Sequence, residues 1–558
     1  MNELWHNSYP FEIPPKIDYH REPLFSFLEN SANNFPDKIA VRYYGLKLSY
    51  RKLKRCTEKF AGSLSDLGVK KGDRIALVFP NSPQMIITLY AAFKLGFIAV
   101  PVNPLYTERE MEWQIKNSDA QVIITFEKFF KKIEKIKINL NISKIIISKI
   151  YDFLPFYLIP PLYIKERRSR NSRVTKGKDI YFFKELIRKG RPKKSMDVVQ
   201  EDIALLQYTG GTTGLPKGVI LTHRNLVSNV LQTAHWFYES KKGSEIILSV
   251  IPFFHIFGLT VALNFPIFLA ATIILAPGFE LINILKMISK YQPTLFPGTP
   301  AMFSAISRHR QISKYNLTSI QFCISGSAPL TKKVQQDFTR VTGSKLVEGF
   351  GLTESSPVTH CNPFNGRDKE GSIGLPVPDT MCKIVDIETG EKVLGIEEEG
   401  ELCIKGPQVM EGYMKSELET QKVLKNGWLY TGDIARMDKD GYFYIVDRKK
   451  DLILSGGYNI YPQEVDEILC LHPEIKEAAT IGIPDRLRGE KVVAFIVTGS
   501  DVKIDKKKIL KYCRERLAKY KIPSEIKIVR ELPKSSIGKI LRKDIRKEYL
   551  KNCKELED

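Results

Sequence analysis

The sequence lacks the residue spacings that mark several common kinds of site. Its 558 residues include eight cysteines, and no two of them lie within four residues of each other. This scatter excludes a zinc knuckle or a paired redox motif and is typical of reduced, structural thiols in a reducing compartment. The eight histidines show no metal-ligand spacing either. No internal repeat or low-complexity segment is evident.

A targeting segment and a clear membrane span are also missing. The first residues, MNELWHNSYPFEIPPK, do not have the basic-then-apolar order of a signal peptide. The stretch from Ile246 to Phe279 is long enough to cross a bilayer and has only His255 as a potential charge. Its prolines instead favour a helix near Leu259–Leu263, a break at Pro266 and a buried strand at Thr272–Leu275. We expect a cytoplasmic protein, with peripheral contact on the inner face of the membrane as an alternative.

Acidic residues are scarce in two stretches, and these account for the whole net charge of +22. Residues 126–200 carry 20 Lys and Arg against 7 Asp and Glu, and residues 501–558 carry 19 against 10. Basic stretches of this kind attract anionic lipid, a polyphosphate substrate or RNA. No nucleic-acid motif accompanies them, so we expect no nucleic-acid partner. The alternative is a lysine-rich background composition without function.

The segment 126–170 combines apolar and basic residues. Phe126, Phe129, Phe130, Ile133 and Ile136 recur at helical spacing with lysines between them. An aromatic-rich run then extends from residue 152 to 164 and is followed by a basic cluster. Such a segment can lie on an anionic bilayer surface. It can equally pack on its own domain with a solvated charged face.

The order of apolar patterns predicts an α/β fold with more than one domain. Strand-like runs near residues 39–44, 74–79 and 97–102 alternate with helical patterns, which indicates a parallel, doubly wound sheet. Ser49 is placed to cap the helix that follows it, and Gly68 to end that helix. Beyond Gly371 short strands predominate. The charged run 447–451 is the best domain boundary, since the residues after it suffice for a small domain.

The most informative stretch is Tyr208 to Gly218, which reads YTGGTTGLPKG. Its flanks predict a strand, a polar loop and a second strand. The loop offers backbone N–H groups, threonine hydroxyls and one cation, the groups that cradle phosphate. A plain solvated turn seldom carries this set. A Walker-type loop fails on residue order, because Leu215 and Pro216 precede Lys217 and Gly218 stands where Ser or Thr is required.

YTGGTTGLPKG closely resembles the signature of the adenylate-forming enzymes, which include acyl-CoA synthetases, luciferases and adenylation domains. Four further motifs follow in that family's order: a GSAPL segment at 326–330, EGFGLTE at 348–354, TGD at 431–433 and a C-terminal PKSSIGK at 533–539. The resemblance covers about residues 25 to 545. The long, basic 126–200 segment is similar to that of long-chain fatty-acid–CoA ligases.

The resemblance implies a large N-terminal domain, 1–447, with doubly wound sheets and a distorted β-barrel, and a small mobile α+β domain, 448–558, with a hinge near Lys450. It implies ATP-dependent activation of a medium- or long-chain fatty acid to acyl-AMP and transfer to CoA, a ligase reaction of lipid metabolism. The expected partners are then a fatty acid and CoA, and the other expected ligands are ATP and Mg²⁺. The resemblance is also compatible with a homodimer.

Site residues follow from the matching motifs. Lys539 is expected to bind the carboxylate and α-phosphate, and His255 to line the acyl pocket with Gly298 and Thr299. Glu354 is expected to hold Mg²⁺ with Thr209, and both count, with Lys217, among the catalytic residues. The expected phosphate cradle consists of Thr209, Gly210, Gly211, Thr212, Thr213, Gly214 and Lys217. The adenine and ribose side would consist of Gly326, Ser327, Ala328, Gly349, Phe350, Gly351, Thr353, Asp433, Arg448 and Lys450. Ser455, Gly456 and Gly457 would approach the CoA thiol.

Several alternatives stay open from the sequence. An aryl-acid–CoA ligase or an acyl-AMP ligase that loads a carrier protein would use the same adenylation chemistry. A luciferase-like monooxygenase on the same fold would differ only after that step, since fold does not fix function. A non-catalytic lipid-binding protein is disfavoured by the intact Lys217, Glu354, Asp433 and Lys539. Phe350 stands where the family commonly has tyrosine, which keeps stacking but removes a hydroxyl.

Overall fold

The structure is a computed structural model. It describes residues 3–19, 21–155, 174, 177–193, 197–209, 216–455, 458–485, 488–499, 505–535 and 538–554.

The described strands are β1 (Ile39–Tyr43), β2 (Leu46–Ser49), β3 (Arg74–Val78), β4 (Ile98–Val102), β5 (Val122–Phe126), β6 (Lys144–Ser148), β7 (Ile180–Phe182), β8 (Ile203–Thr209), β9 (Lys217–Thr222), β10 (Ile246–Ser249), β11 (Thr272–Leu275), β12 (Leu295–Gly298), β13 (Phe322–Ser325), β14 (Lys345–Gly351), β15 (Val358–Cys361), β16 (Leu375–Pro376), β17 (Met381–Val385), β18 (Gly400–Lys405), β19 (Gly412–Tyr413), β20 (Leu424–Lys425), β21 (Trp428–Met437), β22 (Phe443–Arg448), β23 (Ile453–Ser455), β24 (Tyr458–Ile460), β25 (Ile475–Asp485), β26 (Gly489–Thr498) and β27 (Glu525–Val529).

The described α-helices are Ser26–Asn34, Tyr50–Asp66, Pro83–Leu95, Glu108–Asn117, Phe130–Lys137, Phe183–Lys189, His223–Trp236, Ile256–Leu259, Phe265–Phe268, Leu281–Tyr291, Pro300–Ser307, Lys332–Thr342, Glu417–Val423, Pro462–Cys470, Lys506–Arg514 and Arg542–Lys554. Short 3-10 helices lie at Leu4–Ser8, Glu127–Phe129, Ile150–Phe153, Ile312–Lys314, Thr353–Ser355 and Lys519–Lys521, and a π-helical turn at Thr260–Asn264.

The chain divides into two compact units. The larger unit comprises Trp5–Met381 and Lys405–Leu429, and the smaller one Met1–Leu4, Cys382–Ile404 and Tyr430–Asp558. The α/β fold class, with a large part built on sheets and a smaller C-terminal part, is therefore confirmed. The boundaries of these units do not coincide with the predicted boundary between residues 447 and 448. The division into domains 1–447 and 448–558 stays a prediction.

Two large sheets build the larger unit. One has nine strands in the order β16-β15-β14-β13-β12-β10-β11-β1-β2, and the other has eight in the order β19-β9-β8-β4-β3-β5-β6-β7. Strands β10 to β14 and β3 to β8 pair mainly in parallel, as the alternation of helices and strands predicts. Their Val-, Ile- and Leu-rich runs are buried on both faces, which is typical of sheets covered by helices.

Local start and stop signals act as the sequence predicts. The Ser49 side chain accepts a hydrogen bond from the Lys52 backbone N–H at 3.3 Å and so caps the helix Tyr50–Asp66. Gly68 follows that helix with φ +82°, a conformation that glycine adopts without strain.

The expected helix break at Pro266 is wrong. Helical structure continues from Ile256 to Phe268 through a π-helical turn at Thr260–Asn264. Proline has no N–H to offer the carbonyl of Ala262 four residues earlier. The Ser249 hydroxyl donates to that carbonyl at 2.7 Å instead, so the acceptor is satisfied and the helix persists. The buried strand at Thr272–Leu275 is confirmed.

The helix Phe130–Lys137 packs inward. Phe130, Ile133 and Ile136 belong to the core beside strands β4 to β6, so the apolar face of this helix is not open to a bilayer. Membrane contact through this part of 126–170 is thus unsupported, while residues 156–170 lie outside the described residues. None of the described helices combines the length and apolar character that crossing a membrane requires.

The smaller unit contains two sheets. Strands β17, β18, β21 and β22, most of whose residues belong to this unit, form one of them. The other has the order β24-β23-β26-β25, with β27 parallel to β26. Helices Pro462–Cys470 and Lys506–Arg514 cover one apolar cluster beside this second sheet, and helix Arg542–Lys554 covers another.

Candidate functional site

The expected phosphate loop connects the two strands of a hairpin. β8 and β9 pair antiparallel, and Thr209 faces Lys217 across the pair. The predicted strand–loop–strand reading is confirmed at both flanks. Gly210, Gly211, Thr212, Thr213 and Gly214 lie outside the described residues. The hairpin holds Thr209 and Lys217 at neighbouring positions, as a shared role in binding one anion requires.

Lys217 and Glu354 meet at a common neighbour, Tyr413. The Tyr413 hydroxyl donates to Glu354 Oε1 at 2.7 Å, and Lys217 Nζ lies 5.0 Å from the centre of the Tyr413 ring. Lys217 also forms an ion pair with Glu419, with Nζ and Oε2 2.5 Å apart. The structure therefore brings together the predicted phosphate-binding cation and the predicted metal ligand. They lie 137 positions apart in the sequence.

The glycine-containing motifs end neighbouring strands of the nine-stranded sheet. Gly298 at the end of β12 pairs with Ser325 at the end of β13, and Ser325 pairs with Glu348 in β14. Gly326, Ser327 and Ala328 continue β13, and Thr353 begins the short helix that carries Glu354. Carboxyl ends of parallel strands are where open α/β sheets bind ligands. These predicted adenine-side residues are thus gathered at one edge.

Packing explains some of these glycines without a ligand. A Cβ on Gly351 would lie 2.0 Å from the Pro357 carbonyl oxygen, and one on Gly349 would lie 2.6 Å from Ile324 Cδ1. At Gly298 the Phe303 ring occupies the equivalent space, 2.7 Å away. The close approach of protein atoms therefore accounts for the missing side chains at these three positions. Phe350 is partly buried, with its ring edge-on to His360.

The segment that carries His255 is fixed by two buried amides. The Asn81 side chain donates to the Ile251 carbonyl at 3.0 Å and accepts from the Phe253 N–H at 2.8 Å. Gln207 Nε2 donates to the Phe254 carbonyl at 2.8 Å. Because Gln207 lies two residues before Thr209 on β8, the predicted acyl-side histidine and the phosphate hairpin are positioned by one strand. Thr299 is buried and precedes helix Pro300–Ser307.

The smaller unit holds a second group of predicted site residues around Asp433. This side chain is buried in β21, where Arg448 Nε contacts Oδ1 at 2.8 Å. Its other oxygen, Oδ2, is buried and accepts no hydrogen bond from the residues that the structure describes. Burial raises the pKa of Asp433, while Arg448 and Lys539 oppose that rise. A buried acceptor without a donor fits a ligand hydroxyl.

Lys539 lies in the same electrostatic environment as Asp433. Burial and the nearby Arg448 guanidinium lower the pKa of Lys539 to about 8, against the opposing effect of Asp433. Burial likewise lowers the pKa of Lys450, and Arg448 adds to that effect. The structure thus groups Asp433, Arg448, Lys450 and Lys539, four residues that the sequence predicts for one nucleotide. A lysine with this lowered pKa is held where its charge lacks full compensation.

Ser455 is buried at the end of β23, opposite Tyr458 in the β23–β24 hairpin. Gly456 and Gly457 lie outside the described residues. The predicted role of this segment towards a thiol stays a prediction.

Sequence reasoning missed three residues that organise this site: Tyr413, Glu419 and Gln207. Tyr413 belongs to a two-residue strand, β19, that pairs with β9. Glu419 is one of several acidic residues on a short helix, and nothing in the sequence distinguishes it from Glu417. Only the pairing of β19 with β9 brings Tyr413 and Glu419 to Lys217, so no local signal could have found these two residues. Gln207 lies two residues before Thr209 on β8, so its position next to the YTGGTTGLPKG motif was a local signal.

Oxygen donors, rather than a dedicated metal cage, characterise this site. In the described part of the chain, no cluster of three or more His, Cys, Asp or Glu side chains is arranged to hold a metal ion. A single carboxylate such as Glu354 fits Mg²⁺, because this ion keeps several waters and binds through one or two carboxylates plus substrate phosphates.

The larger unit has a phosphate hairpin and the strand ends of a parallel sheet, and the smaller unit has a buried acceptor and a lysine of its own. Each of these features is typical of nucleotide-binding enzymes of the α/β class. The chain belongs to the AMP-binding enzyme family, whose model matches residues 28–414, and the model of that family's C-terminal domain matches residues 464–539. The resemblance to adenylate-forming enzymes is confirmed.

Similar proteins extend over nearly the whole chain. A long-chain-fatty-acid–CoA ligase of Bacillus subtilis is 44% identical over 554 residues, which cover 98% of each chain. The ATP-bound structure of MatB from Rhodopseudomonas palustris is 26% identical with a TM-score of 0.83, covering 95% of this chain and 99% of MatB. The B. subtilis o-succinylbenzoate CoA synthetase, solved with its acyl-adenylate intermediate, is 27% identical with a TM-score of 0.78, covering 94% and 98%.

Proposed function

We propose that this chain is an ATP-dependent fatty-acid–CoA ligase acting on medium- or long-chain acids. It forms acyl-AMP with release of pyrophosphate and then passes the acyl group to CoA with release of AMP. The full-length similarity to the B. subtilis long-chain ligase supports a fatty acid as the acid substrate and CoA as the thiol substrate. The geometric observation that carries the proposal is the buried Asp433 oxygen without a donor among the described residues, near Lys539.

Each step balances without a protein nucleophile. A carboxylate oxygen of the acid attacks the α-phosphorus, an O–P bond forms, and the bond to the pyrophosphate oxygen breaks. The CoA thiol then loses its proton to solvent, and the thiolate sulfur attacks the acyl carbon. A C–S bond forms, the bond between the acyl carbon and the phosphate oxygen of AMP breaks, and AMP leaves. Positioning and charge stabilisation are what the chain has to supply for this chemistry.

The roles proposed for individual residues are those that the matching motifs imply. The buried Asp433 carboxylate would accept hydrogen bonds from the ribose hydroxyls, with Arg448 fixing its orientation. Lys539 would meet the negative charge of the carboxylate and the α-phosphate. In the larger unit, Lys217 and Thr209 would bind the β- and γ-phosphates at the hairpin.

Mg²⁺ would be held by Glu354, with the Thr209 hydroxyl. The Tyr413 hydrogen bond occupies Oε1 of Glu354, while Oε2 accepts none from the described residues. When bound, the ion would neutralise charge on the triphosphate oxygens. Glu354 would orient the ion, and Thr209 would supply a neutral oxygen ligand.

The test measures pyrophosphate release and thioester formation with acids from acetate to oleate, with and without CoA. We expect pyrophosphate release that depends on the acid and AMP formation that CoA stimulates, strongest for the longer acids. Absence of CoA-dependent AMP formation with every acid would reject the ligase. A preference for aromatic acids, transfer to a carrier protein, or light emission with a luciferin would favour the corresponding alternative.

Lys539→Ala should separate the two half-reactions. It should lose acyl-AMP formation, since no cation meets the developing charge, but keep thioester formation from supplied acyl-AMP. Lys534→Ala is the matched control, because Lys534 lies in the same segment and pairs with Glu477 at its surface. Equal loss of both half-reactions in Lys539→Ala would contradict the assigned role.

A cytoplasmic location, contact with anionic membranes and a homodimer remain predictions. Sedimentation with anionic liposomes, comparing the full chain with a deletion of residues 156–170, tests the membrane contact. Light scattering tests the dimer.

A further inference from the structure

Tyr413 links the two charged residues of the proposed phosphate site. Its hydroxyl donates to Glu354 Oε1 at 2.7 Å, and its ring lies under Lys217 Nζ at 5.0 Å. The ring is 8% exposed, and the strand that carries it pairs with β9, where Tyr413 faces Val219. All of these residues belong to the larger unit. The position of Tyr413 is therefore fixed by the backbone that also carries Lys217.

The Tyr413 hydroxyl holds one carboxylate oxygen of Glu354 in a fixed direction, because the pairing of β19 with β9 keeps the tyrosine itself in place. The Lys217 ammonium in turn benefits from the negative face of the ring.

Glu419 supplies an internal anion to Lys217. Its Oε2 lies 2.5 Å from Lys217 Nζ, and its Oε1 accepts from Lys422 Nζ. The hydrogen bond from Lys217 is the largest cause that lowers the pKa of Glu419, to about 2. The helix that carries Glu419 is tied to Tyr413, because the Tyr413 N–H donates to Thr420 Oγ1 at 2.9 Å. Lys217 and Glu419 are 17% and 29% exposed, so a ligand can reach the pair.

We propose that Tyr413 is a positioning residue that orients Glu354 and seats Lys217, and that Glu419 occupies Lys217 until a triphosphate replaces it. This inference rests on the proposed function, since it takes ATP as the ligand. The exchange is noncovalent and leaves every proton in place. A partly exposed ion pair is weak, so a triphosphate of higher charge displaces the Glu419 carboxylate at little cost.

The first test measures ATP and AMP binding by calorimetry in the absence of acid, with Mg²⁺ or with EDTA. Tyr413→Phe keeps the ring and removes the hydroxyl. It should lower the gain in ATP affinity that Mg²⁺ provides by about tenfold, the effect of losing one hydrogen bond to a charged group. AMP affinity should not change, because AMP has no β- or γ-phosphate.

Tyr19→Phe is the matched control. The Tyr19 hydroxyl also donates to a carboxylate, Asp379 Oδ2, at 2.9 Å in the same unit. If the two variants change the Mg²⁺-dependent gain equally, the proposal is wrong. Combining Tyr413→Phe with Glu354→Gln should add no further loss, because the two residues act through one contact. Additive losses would contradict that contact.

The second test concerns Glu419. Glu419→Gln should bind ATP about two- to fivefold more tightly in EDTA, because the ligand no longer has to displace a carboxylate. Glu417→Gln makes the same charge change on the same helix, where Glu417 contacts Gln421 rather than Lys217. Equal affinities in these two variants would overturn the role of Glu419. Failure of the unmodified protein to bind ATP would instead reject the proposed function.

Discussion

The Lys539 ammonium is expected to set the alkaline limit of adenylation. This lysine is partly buried, and burial with the Arg448 guanidinium lowers its pKa from 10.5 to about 8. Lys450 adds to the lowering, whereas Asp433 and Asp451 oppose it. Since the proposed role needs the charged form, activity should fall as pH rises through 8.

The difference between the two pKa values of Lys539 gives the free energy by which its surroundings destabilise the charged form. A lowering from 10.5 to about 8 corresponds to roughly 3 kcal/mol of destabilisation of the charged form. This is an upper value, because the side chain keeps some contact with water. Between pH 8 and 10.5 the unfolded chain binds more protons than the folded one at this site. Folding stability therefore rises with pH in that window, and the penalty is fully present below it.

The assay is the pH dependence of kcat/KM for acid-dependent pyrophosphate release without CoA, which reports groups of the free enzyme. With a pKa near 8, the charged fraction of Lys539 falls from about nine-tenths at pH 7 to about one-tenth at pH 9. We expect a fall of about tenfold in kcat/KM over that range. Lys539→Arg keeps its charge, so its rate, even if lower, should stay flat to pH 9.

Glu348 requires a control because it titrates in the same range. Burial raises its pKa to about 8, and its carboxylate accepts from the Leu330 N–H at 3.1 Å in the larger unit. Glu348→Gln should keep the alkaline fall. Lys539 does not set the alkaline limit if the fall lies near pH 10 in the unmodified protein, persists near pH 8 in Lys539→Arg, or disappears in Glu348→Gln.

Three further substitutions test other contacts. Ser249→Ala should lower the free energy of unfolding by about 1–3 kcal/mol in thermal unfolding, because the Ala262 carbonyl loses the Ser249 donor. Adding Pro266→Ala supplies a backbone N–H and should recover part of that stability. No recovery would contradict the role of Ser249. Asp433→Asn should weaken AMP binding about tenfold or more in calorimetry through its buried acceptor, and unchanged affinity would reject the ribose role. Gly351→Ala should lower the Tm, since its Cβ would lie 2.0 Å from a backbone oxygen; an unchanged Tm would show that the loop relaxes.

The parts of the fold that sequence predicts well depend on neighbours along the chain. A serine before an amphipathic run and a glycine after it define the helix Tyr50–Asp66, because the capping bonds involve residues within one turn. The β8–β9 hairpin is predicted for the same reason, since its loop and both strands are contiguous. The long motifs indicate candidate site residues in order along the chain, and the roles of these residues stay predictions.

Prediction fails where the deciding partner is remote. Pro266 ends a helix by local rules, and the Ser249 hydroxyl that satisfies the freed carbonyl lies 13 residues before Ala262. Similarly, Tyr413 lies 59 residues from Glu354 in the sequence and contacts it only because β19 pairs with β9. The spacing of such residues carries no periodic signal. Their roles emerge only from tertiary contacts.

The hydrogen bond between Asp447 and Gln463 bears on how fast the predicted hinge can work. Asp447 Oδ2 accepts the Gln463 N–H at 2.7 Å, and so ties the strand before Lys450 to the helix after it. Any rotation at Lys450 that separates these elements has to break this bond first. Turnover through such a rotation would therefore contain a step whose barrier is set by this hydrogen bond rather than by the bonds made and broken in the substrates. Burial raises the pKa of Asp447 to about 6, so mild acid would weaken this tie and speed that step.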